Sequence, residues 1–172
     1  MIPHFQSTTF TTAAASLLTI MHYLNNNIKL SKDHEFAIWH KSVNLPTRGS
    51  SIYALATYAK EQGLSPTVIV EQKEYSFPDY RFYRYTKEDI EHATFSEKKH
   101  LEKAEGANIP IEERTITLDE IQTHLQENKI ILLRINTKPF NNIKKNTSNY
   151  IVVHGYENNH FHIVNPAHTA LS

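Results

Sequence analysis

Residues 12–24, Thr12-Ala13-Ala14-Ala15-Ser16-Leu17-Leu18-Thr19-Ile20-Met21-His22-Tyr23-Leu24, contain no Asp, Glu, Lys or Arg and carry three alanines in succession. Such a run favours a helix, and its lack of a charged face means that it must be covered by other elements rather than lie on a surface. It is too short to cross a bilayer. The chain therefore has to fold around this helix, with Thr11 and Thr12 placed to cap its start. Gln6 stands six residues before Thr12. A buried helix N-terminus offers unpaired N–H groups and the positive end of the macrodipole. A thiol at that point would be an activated nucleophile, but the chain has no cysteine.

The 172 residues suit a single domain, 1–172, with a sizeable core, and 40% hydrophobic residues are ordinary for a globular protein. Eighteen basic residues balance eighteen acidic ones, so no net field draws the chain to nucleic acid or to an anionic membrane near neutrality. Eleven histidines make it basic in mild acid. The absence of cysteine excludes disulfides and zinc thiolate sites. There is no apolar run of membrane-spanning length and no signal-peptide pattern, so the expectation is a cytoplasmic chain without membrane insertion.

The remaining pattern alternates helices and strands. Asn25-Asn26-Asn27 ends the first helix, and Ser31 caps a second that runs to about Val43. A third spans Ser50 to Gln62 and closes on Gly63. Three helices thus precede the first strand, Pro66 to Glu71. Thr86 and Thr117 open two further helices with capping boxes, ending near Gly106 and Asn128. Lys129 to Asn136, Asn149 to Gly155 and His160 to Val164 read as strands, the last two joined by a Glu157-Asn158-Asn159 turn. Helices first and a mostly antiparallel sheet later predict an α+β domain, with N-terminal helices packed on the sheet.

Phe5-Gln6-Ser7-Thr8-Thr9-Phe10-Thr11-Thr12-Ala13-Ala14-Ala15, Glu35-Phe36-Ala37-Ile38-Trp39, and Tyr150-Ile151-Val152-Val153-His154-Gly155-Tyr156 with Val164-Asn165-Pro166 resemble, in order and spacing, the bacteriocin-processing peptidase-like family. The resemblance covers almost the whole chain. It implies a papain-like cysteine peptidase fold, in which a Gln precedes a Cys at the head of the central helix, a His starts a late strand and an Asp precedes a Pro. Here Gln6 matches the Gln, while Thr12 falls on the Cys, Asn149 on the His and Asn165 on the Asp. Family members commonly continue beyond the point six residues after Pro166, so the natural chain is expected to be longer at its C-terminus.

These departures differ in weight. Asn165 is tolerable, because an Asn can orient a catalytic His. Asn149 is not, because a carboxamide cannot carry a proton between nucleophile and leaving group. Thr12 keeps a hydroxyl, a weak nucleophile without an adjacent base. His154 is a poor replacement base, since strand alternation over an odd offset from Asn149 turns it to the other face.

His160 and His162, with His168 nearby, lack the further ligands a zinc site needs, so no metal and no cofactor is implied. The aromatic segment Tyr75 to Tyr85, with Arg81 and Arg84 interleaved, fits packing over the sheet better than base stacking. The expected function is that of a pseudoenzyme binding a peptide or peptide-like ligand through Gln6, Thr12, Asn149 and Asn165. Two alternatives are a cysteine peptidase or acyltransferase inactivated by substitution, and a structural or partner-binding domain with a closed groove.

Overall fold

The computed structural model describes residues 1–75, 85–136 and 148–167. The segment around Phe77, Tyr80, Arg81, Phe82, Tyr83 and Arg84 lies outside the described residues, as does His168. The architecture is α+β. The chain forms two compact units, Met1–Phe36 with Thr117–Ser172, and Ala37–Ile116.

The first unit contains helix α1 (Thr12–Leu24), the start of α2 (Lys32–Ser42), α5 (Leu118–Gln126), and strands β5 (Ile131–Asn136), β6 (Ser148–Glu157) and β7 (His160–Val164). The three strands form an antiparallel sheet in the order β5-β6-β7. Asn158 and Asn159 both take positive φ, 51° and 62°, in the turn between β6 and β7. Two consecutive left-handed residues match the twist of a tight hairpin, and Asn tolerates that conformation better than most residues. Every residue of α1 from Thr12 to Met21 is buried, whereas Tyr23 and Leu24 are exposed. Ile20 packs with Val152 and Val164, flanked by Met1, Ile130 and Leu132. One turn earlier, the Ser16 hydroxyl donates to the Tyr150 carbonyl over 3.3 Å. Four residues of helix and two of strand both advance about 6 Å, so α1 and β6 run side by side in step.

The second unit holds the rest of α2, a short antiparallel pair β1 (Val43–Asn44) and β2 (Gly49–Ser50), α3 (Ile52–Glu61), β3 (Val68–Val70), α4 (Lys87–Gly106) and β4 (Ile111–Glu113). Here the structure corrects the sequence reading twice. The pair β1–β2 precedes α3, so Val68–Val70 is not the first strand. Ile111–Glu113 pairs in parallel with Val68–Val70, with α4 in the connection between them. Two of its three side chains are glutamates, and a strand that short carries no periodicity to read. Tyr53, Ala56, Val68, Ala104 and Ile109 form the core of this unit. Asn44 and Glu97 are buried as well, and the Asn44 amide donates to the Glu97 carboxylate.

Local chemistry explains the helix ends. Ser51 caps α3 by accepting from the Ala54 N–H, so the helix starts at Ile52 rather than Ser50, and Gly63 closes it with φ 86°. Thr86 and Asp89 form the reciprocal capping box on α4, with bonds of 3.1 and 2.8 Å. Thr117 caps α5 by accepting from Glu120 N–H.

If the seam between α1 and β6 carries the first unit, Ile20→Ala is expected to cost about 2–5 kcal/mol, the usual range for truncating a buried Ile. Urea unfolding followed by far-ultraviolet circular dichroism reads this directly. A loss below about 1 kcal/mol would mean that α1 is not packed on the sheet.

Candidate functional site

Gln6 and Thr12 meet directly. The Thr12 hydroxyl donates to Gln6 Oε1, which leaves the amide nitrogen of Gln6 as a donor for another group. Gln6 is held from its backbone too, donating its N–H to the Pro166 carbonyl over 3.0 Å. That bond ties the loop before α1 to the residue after Asn165. Thr11 occupies the N-cap position of α1 but its side chain makes no capping bond. Its hydroxyl donates to the Thr8 carbonyl instead, at 3.1 Å. The expected capping role of Thr11 and Thr12 is thus overridden by bonds inside the preceding loop.

The consequence is an open helix end. The first intrahelical turn is closed by Ala15 N–H on the Thr11 carbonyl at 2.9 Å. Among the described residues, none accepts from the backbone N–H groups of Thr12, Ala13 and Ala14. All three residues are buried, at 5%, 4% and 0% exposure, and α1 has no acidic residue in its first turn. Buried donors of this kind are normally satisfied, so they mark a place where an acceptor belongs.

Asn149 and Asn165 are placed differently. Asn149 lies on β6 opposite Ile135, with its Oδ1 accepting from the N–H of Tyr150 at 3.0 Å. Strand alternation gives it the face of Ile151 and Val153, while Val152 takes the face that packs on Ile20. Asn165 follows β7 and its Oδ1 accepts from Ala167 N–H at 3.0 Å. Val152 pairs with Val164, and Asn165 leaves β7 immediately after that pair. No hydrogen bond among the described residues joins either asparagine to Thr12.

His154 calls for a different argument from the one alternation supplied. A β-bulge between Val153 and Gly155 breaks the alternation at this residue. What separates His154 from Asn149 is length, five residues of strand or about 16 Å. Its ring lies edge-on to that of His162, with centroids 6.0 Å apart. Burial, the N-terminal amine and His162 together hold its pKa below the usual imidazole range. His160 is engaged with the Asn158 carbonyl at 2.7 Å. Among the described residues, no group of three or more His, Cys, Asp or Glu side chains is arranged to hold a metal ion.

The residue that sequence reasoning passed over is Glu35, quoted above only as part of a matching segment. Its side chain is fully buried. Glu35 Oε1 accepts from Ser7 N–H at 2.8 Å, and Oε2 accepts from the Ser7 hydroxyl at 2.5 Å and faces His4 Nε2 at 2.9 Å. Burial alone raises the pKa of this carboxyl, but hydrogen bonding, led by the Ser7 hydroxyl, outweighs it and holds the value below normal. The signal was present in the spacing. Glu35, Ile38 and Ser42 recur at i, i+3 and i+7, and all three are fully buried, so an acid stands on the inward face of α2.

A family signature described as Peptidase_C39 like family matches residues 2–171. The chain belongs to that family. No curated protein and no solved structure matches the chain. Membership in the Peptidase_C39 like family extends over both units. No helix among the described residues is long and apolar enough to cross a membrane.

Because the folded state lowers the Glu35 pKa, ionised Glu35 stabilises the fold fully above the unfolded carboxylate value near 4.5. That contribution drains away as pH falls through the lower folded value. Thermal melts from pH 7 to pH 3 should therefore show a steeper acid loss in the parent than in Glu35→Gln, which has no charge to neutralise. Parallel curves would show that Glu35 is not held ionised.

Proposed function

We propose that this chain is a catalytically inactive peptidase-like domain that binds a peptide or peptide-like ligand at the head of α1. The observation that carries the reading is the use of Thr12. Its hydroxyl donates its proton to Gln6 Oε1, so the group at the family's nucleophile position faces an amide acceptor instead of a base. Asn149, at the position matching the family's His, cannot move a proton. The resemblance to bacteriocin-processing peptidases supplies the positions, and the substitutions at Thr12 and Asn149 remove the chemistry.

What survives is the binding half of a peptidase site. The open N–H groups of Thr12, Ala13 and Ala14 and the amide nitrogen of Gln6 are all donors, suited to a peptide carbonyl. Asn149 and Asn165 have each committed their oxygen to a neighbouring backbone N–H, which leaves their amide nitrogens as donors as well. A ligand here is recognised through its carbonyl oxygens. No cofactor is required, and the balanced charge favours neither nucleic acid nor membrane.

Two outcomes are expected. Peptide, ester and thioester substrates are turned over no faster than a trace background, as read with chromogenic and fluorogenic panels; turnover at peptidase rates that disappears in Thr12→Ala would refute the reading. Peptide-array screening followed by calorimetry should find modest binders, weakened by about 1 kcal/mol in Gln6→Ala, the scale of one hydrogen bond, and by no more than that in Asn149→Ala. Finding no binder, or finding binders indifferent to both changes, would remove the head of α1 as the working surface.

A further inference from the structure

Residues 4–10, which carry Gln6, have no helix or strand of their own. Without a backbone ladder, something else must fix their position. His4 donates its N–H to Thr19 Oγ1 at 2.9 Å, and Gln6 N–H is on the Pro166 carbonyl. Three further bonds converge on one group. His4 and Ser7, which bracket Gln6 on either side, both bind the Glu35 carboxylate.

The choice of a carboxylate is informative. An ionised group taken fully out of water is costly unless its lone pairs are met. A carboxylate offers about four acceptor sites, and here it meets the Ser7 N–H, the Ser7 hydroxyl and His4 Nε2. All three belong to the loop. An acid on α2 whose hydrogen-bond partners among the described residues are His4 and Ser7 is built to hold that loop.

We infer that Glu35 is the positioning residue of this site, its carboxylate clamping residues 4–11 so that the Gln6 amide stands over Thr12 before any ligand arrives. Glu35 touches no ligand in this scheme and acts through Gln6. The inference rests on the peptide-binding reading for what Gln6 does, and not for what holds it in place.

The test uses Thr12→Cys, which introduces the sole thiol of an otherwise cysteine-free chain. Position 12 is 5% exposed, so alkylation by iodoacetamide reports how often the loop lifts away. Ser7→Ala, which trims an exposed residue, should speed alkylation about fivefold, the population change set by one lost hydrogen bond. It should also shift the side-chain amide resonances of Gln6 in a nitrogen-15 correlation spectrum. Glu35→Gln should accelerate alkylation further, and Glu35→Asp, which keeps the charge, should recover part of the protection. Glu97→Gln provides the control, because it disturbs a buried acid in the other unit and should lower the melting temperature without exposing position 12.

Unchanged alkylation and unchanged Gln6 resonances in Ser7→Ala would overturn the inference. So would equal acceleration in Glu97→Gln, since the effect would then be general loosening. If Glu35→Gln fails to fold, Ser7→Ala decides the matter alone. Peptide binding fails or succeeds separately: expected alkylation with no peptide binder removes the ligand reading and keeps the clamp, and the converse removes only the clamp.

Discussion

The ordered start of this chain depends on one buried charge. Residues 4–11 have no strand to join, and beyond the bonds among Thr8, Phe10 and Thr11 they are tied down by the Glu35 carboxylate, by Thr19 and by the Pro166 carbonyl. Taking a carboxylate out of water is unfavourable by several kcal/mol, and only a full complement of hydrogen bonds offsets it. That makes the arrangement all-or-nothing. With the loop in place the acid is solvated by protein donors, and without the loop it is a bare buried charge. A geometry enforced in this way is well suited to hold Gln6 at one setting over the helix.

The head of α1 shows the opposite imbalance. Three buried N–H groups lack an acceptor among the described residues while Thr11, the residue positioned to cap them, spends its hydroxyl within the loop. Helix ends are usually capped because orphan donors are expensive. Leaving them open makes sense where a carbonyl or an oxyanion is meant to arrive. Such donors suit a carbonyl or an oxyanion, and the ligand-binding proposal is built on them.

Much of the site was legible in the sequence because its parts are local. Gln6 and Thr12 are six residues apart in one segment, and their contact follows from a loop entering a helix. The spans of α1, α2 and α4 agree with their capping and spacing to within a residue or so, since Ser31, Thr86, Asn25 and Gly106 act on their immediate neighbours. β7 was legible for the same reason, bounded by a two-asparagine turn. The misses are non-local. β4 exists only because Val68 and its neighbours lie alongside Ile111–Glu113 across a helical crossover, and β1 and β2 are two residues each. The bulge at His154 likewise depends on which residues of β7 face it.

The sequence by itself determined that residues 12–24 are a largely buried helix, that these 172 residues supply no thiol, and that Gln6 and Thr12 share one end of that helix, because composition and short-range spacing decide such things. Tertiary structure alone decided that Thr11 would abandon its capping role, that the asparagines would turn their oxygens to backbone N–H groups, and that Glu35 would be the group holding the N-terminal loop. Thr11, Asn149 and Asn165 take partners within three residues, chosen among the groups that packing leaves in reach, whereas Glu35 finds its partners 28 and 31 residues away. A hydroxyl or carboxylate has several possible acceptors or donors, and which of them wins is set by where folding puts them.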